Sequence, residues 1–541
     1  MVKKRMLCLA GIALFAAASL FPAPYTVISP GDPVLEDLRF VVRESGKSFT
    51  SLTPPLSKHE VLLILEGIDE GRLSESGRKA YRSVLQAVNP VPLLQTGFFG
   101  FDVHGEAALE GRWRSDSDIP WMKKEKTSSS VLSLPVDLYF GERLYGTIVP
   151  VLRSDPSFYD NGTNWGTNVP YETERIDLNM PFKAFMAAGG PWWNFQIGRD
   201  RLDFGSGITG NLAVSDTPDY YDFARISLFS SNIKYTFLLS QFPMALKGLI
   251  ADGFTHPDMN DSTGTTQRYL YFHRIDVRLF ERLSIGLSEG VMVGNSPPEL
   301  RFMSPLAVFH SYFGWNDYDQ TDGDLVGSML SLDLEWAIMP SLTLYGQFVM
   351  NDYATPYERK NWPDSVSPNG LGWLAGLEYV RDIHTWRTSF FGEFMYGDPY
   401  LYVLSSPYAS FISMRRLSHL TSKDPVYSWI GYPDGRDALH VTLGATVYKA
   451  PVKLGARLSF SSQGEHGVSW DWTKGEDAVN QRSPSGTAEN TFKASADAEW
   501  EILRGLKLSA YLGGTFIYNY EHSGGERRIG AEAGLAVSYF Y

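Results

Sequence analysis

The sequence predicts a mainly β fold: a closed antiparallel transmembrane β-barrel of about 18 strands with a small N-terminal helical bundle. Three observations carry this expectation. From Gly97 onward apolar and polar residues alternate with period 2, short connections alternate with long polar ones, and the last strand finishes on an aromatic residue, Tyr541. Strand side chains point alternately to opposite faces, so such segments have one apolar and one polar or small face. No stretch after residue 24 approaches the ~20 uninterrupted apolar residues of a spanning helix, which leaves strands to cross the membrane.

The elements follow in chain order. Lys3, Lys4 and Arg5 precede an apolar run from Met6 to Phe21, with small residues (Ala16, Ala17, Ala18, Ser19, Ala23) closing it. This layout predicts a secretory signal peptide over residues 1–23. Residues 30–90 then change to helical spacing and predict a helical region. Pro33 to Val42 is amphipathic, Ser57-Lys58-His59-Glu60 has the form of a capping box ahead of Val61 to Leu65, and Ser74 to Val88 puts Ala80, Tyr81, Val84, Leu85 and Val88 on one face. Helices this short cannot form much core alone, so they are expected to dock on the barrel that follows.

Residues 97–541 form the predicted barrel. Phe99, Phe101, Val103, Ala107 and Leu109 alternate with Gly100, Asp102, His104, Glu106 and Glu110. Leu330, Leu332, Leu334 and Trp336 alternate with Ser331, Asp333 and Glu335, and the pattern returns at 441–460 and 508–520. Short connections (Ala188 to Pro191, Met339 to Ser341, Lys449 to Pro451, Arg504-Gly505) alternate with long ones near 114–130, 155–172, 252–266, 294–325, 352–369, 398–437 and 464–491. This is the rhythm of outer-membrane barrels, with short periplasmic turns and long external loops. Closure would remove the sheet edges and satisfy every backbone group in lipid. Arg274, Asp276, Arg278, Lys453, Arg457, Asp497, Glu499 and Glu501 lie on the polar phases. A Lys or Arg at the lipid midplane costs about 2–4 kcal/mol, so these charges are expected to face the lumen.

Composition excludes several classes. Cys8 is the single cysteine and sits in the leader, so no disulfide framework, cysteine nucleophile or thiolate metal site is expected in the mature chain. The formal charge of -13 disfavours nucleic acid, which needs a basic surface. Aromatic residues make up 14% of the chain, with 29 Tyr, as interfacial girdles require. No H-x-x-x-H, G-x-S-x-G or P-loop pattern occurs, and no cofactor or enzyme activity is expected. Asp317 to Asp324 is acidic, but it misses the calcium-loop spacing and lacks the closing Glu.

Two stretches carry a family resemblance. Ile197-Gly198-Arg199-Asp200-Arg201-Leu202-Asp203-Phe204-Gly205-Ser206-Gly207 resembles the I-G-R-x-x-L-x-W-G-P-G motif of the capsule-assembly Wzi family, with Phe204 and Ser206 departing from Trp and Pro. Pro298 to His310 is similar to the family's E-x-R-x-L-N-P-L-x-F-x-H segment, with Ser304 in place of Asn. The resemblance implies an outer-membrane barrel with a periplasmic helical bundle, acting without catalysis in the assembly, retention or surface attachment of a capsule-like polysaccharide. Arg199 and Arg201 fall on the apolar phase of Trp193, Phe195 and Ile197, which predicts that the glycine-containing segment 198–210 bends away from a straight strand. Arg199, Arg201, Glu299, Arg301 and His310 are the candidate polar cluster, with bracing of the wall by ion pairs as the competing role. Trp315 and Asn316 suit sugar binding by stacking and amide hydrogen bonds, and an interfacial anchor is the alternative for Trp315.

The expected partners are outer-membrane lipid, surface polysaccharide and, through the strand ending at Tyr541, the barrel-assembly machinery. A porin-like diffusion channel for small hydrophilic solutes or sugars, and a surface adhesin, remain alternative functions.

Overall fold

The computed structural model describes residues 24–123, 128–154, 162–170, 172–178, 181–246, 248–250, 266–309, 325–418 and 423–541. The expected leader lies outside these residues, as do Asp317 to Asp324.

The chain is mainly β, and among the described residues one large antiparallel sheet gathers 23 strand segments. From Ala184–Gly190 each strand pairs with its successor as far as Trp386–Gly397. That strand pairs next with Ala438–Lys449, across a long connection, and the ladder continues to Arg527–Phe540. The last strand also pairs with Glu106–Arg114, so that Ala533 meets Trp113 and Phe540 meets Glu106. Tyr541 exchanges backbone hydrogen bonds with Gly105 at 2.8 and 3.1 Å. At the other side Phe99–Val103 pairs with Val136–Phe140, that strand with Leu144–Ile148, and Leu144–Ile148 with Ala184–Gly190.

Tight turns mark one end of the sheet, at 191–192, 230–232, 280–282, 340–341, 384–385, 450–451 and 504–505. His384 and Thr385 take φ of 52° and 67°, the type I′ hairpin geometry. Neither residue favours it; the register of the flanking strands, where Ile383 meets Trp386, imposes it. Asp382 supports the turn by accepting the Thr385 N–H at 2.8 Å.

The two faces follow the alternation. Leu332, Leu334 and Trp336 are exposed outward, whereas Asp333 and Glu335 are buried inward. Phe460, Phe492 and Phe516 form an outward aromatic row across three paired strands, with ring centroids 4.7 and 6.3 Å apart. Trp500 stands eight positions from Phe492 on the same strand, about 26 Å along it. An apolar band of ~25 Å between aromatic girdles has this dimension.

Three helices precede the sheet: α1 (Pro33–Ser45), α2 (Lys58–Glu66) and α3 (Glu75–Ala87). Asp32 caps α1 by accepting the Val34 N–H, and Gly46 closes it at φ 73°, a conformation in which a side chain would be strained. The capping box at Ser57 and Glu60 is complete in α2. Their apolar faces merge into one cluster with Val380 of the wall. This region sits on the tight turns. Ser48 donates its N–H to Glu281 O, Ser341 to Arg43 O, and Ser76 to the Asp382 carboxylate.

Ion pairs carry the docking inside the sheet. Arg43, fully buried, donates to Glu335 at 2.6 Å and to Glu378 at 3.0 Å. Burial alone would loosen its proton, but the two carboxylates more than reverse this and keep the guanidinium charged. Glu60 pairs with Lys234, and Arg225 donates to the backbone carbonyls of Thr53 and Pro55. Arg274 joins Asp276 and Asp333, each at 2.7 Å. The charges expected in the lumen therefore include several that hold a filling in place.

That filling continues from the opposite end. The strand Trp193–Asp200 stops at Asp200, and the following segment runs inside, burying Leu202, Phe204, Leu212 and Val214. These pack with Tyr402, Phe411 and Tyr432 of the 398–437 connection and with inward Phe242, Phe272 and Met395 of the wall. The expected bend at 198–210 is thus an excursion into the interior. The positive φ of Gly198 (136°) and Gly205 (136°) permits it, and a Cβ on Gly198 would meet the Ala184 carbonyl at 2.4 Å.

Replacing Arg43 with Ala strands two buried carboxylates and should cost about 3–5 kcal/mol. The expected result is a lower denaturation midpoint in detergent and faster proteolysis of α1–α3; unchanged values would remove this ion triad from the account of stability.

Candidate functional site

Between the interior filling and the wall made by Ala438–Lys449, Val452–Gln463, Glu489–Leu503, Leu506–Tyr518 and Arg527–Phe540 lies a cavity of about 1250 Å³. Its wall side is lined mostly by small or polar residues such as Thr442, Ser459, Ser495, Ser509 and Ser538, with Arg457, Lys493, Asp497, Glu499 and Lys507 among them. Aromatic faces at Phe391 and Tyr511 also line it.

Toward the long-connection end the cavity meets a cluster of Arg, Asp and aromatic side chains. Asp216-Thr217-Pro218-Asp219-Tyr220 runs into the strand Tyr221–Phe229 and lines the cavity there. Across from it stands the hairpin of Ile412–Ser418 and Lys423–Trp429. Arg415 of the hairpin pairs with Asp219 at 2.8 Å and Asp177 at 3.4 Å, and Arg153 pairs with Asp177 at 3.1 Å. The Arg153 guanidinium lies over Phe182 at 4.0 Å, and Phe182 meets Tyr220 at 5.9 Å. Planar guanidinium groups, carboxylates and half-exposed rings together offer hydrogen bonds and apolar stacking, which suits polyhydroxylated ligands. Deeper in, burial pushes the Tyr432 hydroxyl far above its ordinary range, with Asp434 adding to the effect. Burial also lowers Arg436 to about 10; its guanidinium holds Pro399 O and Ser469 O at 2.9 Å each.

The residues singled out in the sequence occupy different surroundings. Arg199 belongs to the cavity rim: it forks onto Asp222 at 2.7 and 2.9 Å and stacks on Tyr220 at 3.9 Å. Arg201 turns to the helical region, donating to Pro30 O at 3.0 Å, with Asp216 at 3.5 Å. Glu299 and Arg301 pair with each other at 2.6 Å. They belong to a segment laid on the outward face of the sheet. There Phe302 meets Tyr271 at 5.2 Å, Phe309 stacks on His273 at 4.4 Å, and Leu300 and Leu306 stay exposed. His310, Trp315 and Asn316 lie outside the described residues. Sequence reasoning passed over Asp219, Tyr220, Phe182 and Arg415. The run Asp-Thr-Pro-Asp-Tyr-Tyr-Asp at 216–222 was a visible signal, while the hairpin partner was not.

An antiparallel sheet with a lipid-compatible outer face, filled by its own N-terminus and connections, defines an outer-membrane protein of the β-barrel class. Residues 122–528 match the family described as "Capsule assembly protein Wzi". The chain belongs to the Wzi capsule-assembly family, and its location is the outer membrane. Among solved structures it is similar to Wzi of Escherichia coli, at 15% identity and a TM-score of 0.56, covering 94% of this chain and 98% of that one. That protein is described as an outer membrane protein involved in group 1 capsule assembly and a carbohydrate-binding β-barrel. OmpT of Vibrio cholerae (8% identity, 83% of this chain and 99% of that one, TM-score 0.32) and the channel DcaP of Acinetobacter baumannii (10%, 84% and 100%, TM-score 0.35) are too distant to bear on function. No curated protein sequence matches the chain significantly.

Substituting Asp177 with Asn removes the charge that Arg153 and Arg415 share. A charged hydrogen bond contributes about 1.5–3 kcal/mol, so protease cleavage within the 412–429 hairpin should accelerate more than tenfold. An unchanged cleavage rate would mean that Asp177 does not hold the hairpin.

Proposed function

We propose that the protein binds a capsule-like surface polysaccharide at the long-connection end of its cavity and serves in its assembly or retention, without catalysing a reaction on it. The Arg–Asp–aromatic cluster around Asp219, Tyr220 and Arg415 carries this reading, and membership of the capsule-assembly family supports it. Arg199 is assigned to the same rim. His310, Trp315 and Asn316 are proposed as further ligand contacts, while Arg201, Glu299 and Arg301 are read as braces.

The same proposal includes the architecture that presents this site. The sheet is read as a closed barrel of 18 staves, in which Phe99–Arg114, Leu132–Phe140 and Leu144–Leu152 each count as one bent stave. Support comes from the pairing of Arg527–Phe540 with Glu106–Arg114 and from the contacts at 132–133 and 151–152 that join the bent segments. The tight turns and the helical region 30–90 then face the periplasm, residues 1–23 act as signal peptide, and residues 97–541 form the membrane unit. The Tyr541 strand is read as the signal for the barrel-assembly machinery.

The test has two arms. Deleting the gene should diminish stainable surface polysaccharide, and complementation should restore it. Purified protein should retain polysaccharide extracted from the source cell. Tyr220→Ala with Asp219→Asn should weaken that binding at least tenfold, about 1.4 kcal/mol. Normal surface glycan in the deletion strain together with full retention by the double variant would overturn the proposal.

A further inference from the structure

The outward face of the sheet is uneven. On the strands Leu283–Gly294 and Val326–Met339 its residues are large, among them Ile285, Leu287, Leu332, Leu334 and Trp336. On the C-terminal wall the register partners Leu443, Leu458, Ala494, Gly514 and Ala531 fall instead from large to small across five strands. One step toward the long connections, Val441, Phe460, Phe492, Phe516 and Ile529 form the next outward row. The result is an apolar groove of about 820 Å³, floored by Ala494, Gly514 and Ala531 and walled by Leu458, the three phenylalanine rings and Ile529. Every residue that lines it belongs to the described part of the chain.

In an outer-membrane protein this face meets hydrocarbon, and a depression in it forfeits dispersion contacts unless a flexible chain fills it. One further row toward the long connections, the outward partners turn polar: Ser462, Asn490, Tyr518 and Arg527. Ser462 donates to Asn490 at 2.8 Å, whereas Tyr518 and Arg527 are exposed. The Arg527 guanidinium lies over the Tyr518 ring at 5.6 Å. Its neighbour Arg528 has the opposite phase and is drawn to Asp116 and Asp118, at 3.8 and 3.5 Å. Arg527 to Ala531 is four steps of one strand, about 13 Å. A headgroup held at Arg527 therefore lays its acyl chain into the groove.

We propose that this groove binds a phosphorylated glycolipid of the outer leaflet, of the lipid A type. Arg527 takes a phosphate, Tyr518 lends its hydroxyl, and one acyl chain lies over Ala494, Gly514 and Ala531 beneath the phenylalanine row. A planar guanidinium suits this role because it meets phosphate oxygens in pairs. The choice of leaflet rests on the orientation proposed above, with the long connections outermost. The groove lies on the other side of the wall from the interior cavity, so the site is independent of polysaccharide binding there.

The purified full-length protein, mixed in detergent with diphosphoryl lipid A, should carry one lipid molecule in native mass spectrometry. Arg527→Gln should weaken that binding at least fivefold. Ala494→Leu with Gly514→Leu, which fills the groove, should weaken it as much. A Cβ on Gly514 meets nothing nearer than 4.0 Å, so the double variant should keep the heat-modifiable gel migration of a folded barrel. Undiminished binding by either folded variant would overturn the proposal. So would equally tight binding of lipid A stripped of its phosphates, or of phosphatidylglycerol. Failure of polysaccharide binding leaves these outcomes unaffected, since no polysaccharide is added.

Discussion

The buried guanidinium of Arg43 is the interaction on which the interior depends. Glu335 and Glu378 project inward from strands that otherwise read as ordinary alternating segments. Without a cation, two carboxylates buried this deeply would repel each other and carry an unpaid desolvation cost. Without them, α1 would have no specific seat. The same Glu335 accepts the Phe49 N–H at 2.8 Å and a hydrogen bond from Ser206, so helix, linker and inward excursion converge on one side chain. A single wall position thereby orients filling that enters from both ends.

Much of the architecture was legible in the sequence, for physical reasons. Period 2 alternation survives because one face must suit lipid, and the tight-turn rhythm survives because hairpins need few residues. The capping box at Ser57-Lys58-His59-Glu60 is local chemistry, readable without tertiary context. The bend near Gly198 followed from Arg199 and Arg201 standing on an apolar phase. The destination of that bend was not legible, because the burial of Leu202, Phe204 and Leu212 depends on side chains distant in sequence, such as Phe272, which meets Phe204 at 5.8 Å, and Tyr402, whose hydroxyl donates to Leu212 O at 2.6 Å.

The site was less legible for a related reason. Polar phases on strands signal an inward face, yet they do not distinguish a wetted lining from an ion-paired seat. Arg274 and Arg457 look alike in sequence, but Arg274 is buried between Asp276 and Asp333, whereas Arg457 lines the cavity. The motif residues Glu299 and Arg301 pair with each other on the outer face rather than joining Arg199. Short-range spacing recorded the segment, and its packing against Tyr271 and His273 came from the tertiary fold.

The separation along the chain gives the Arg43 seat a further meaning. Arg43 and Glu335 are separated by 292 positions, and Glu378 stands 335 positions beyond Arg43. The helical region and its carboxylate partners are therefore distant along the chain, and the Arg43 seat exists only where the sheet brings them together. It can take this seat only when the strands from Val326 to Ile383 stand side by side, so the docking of α1 reports on the pairing of those strands.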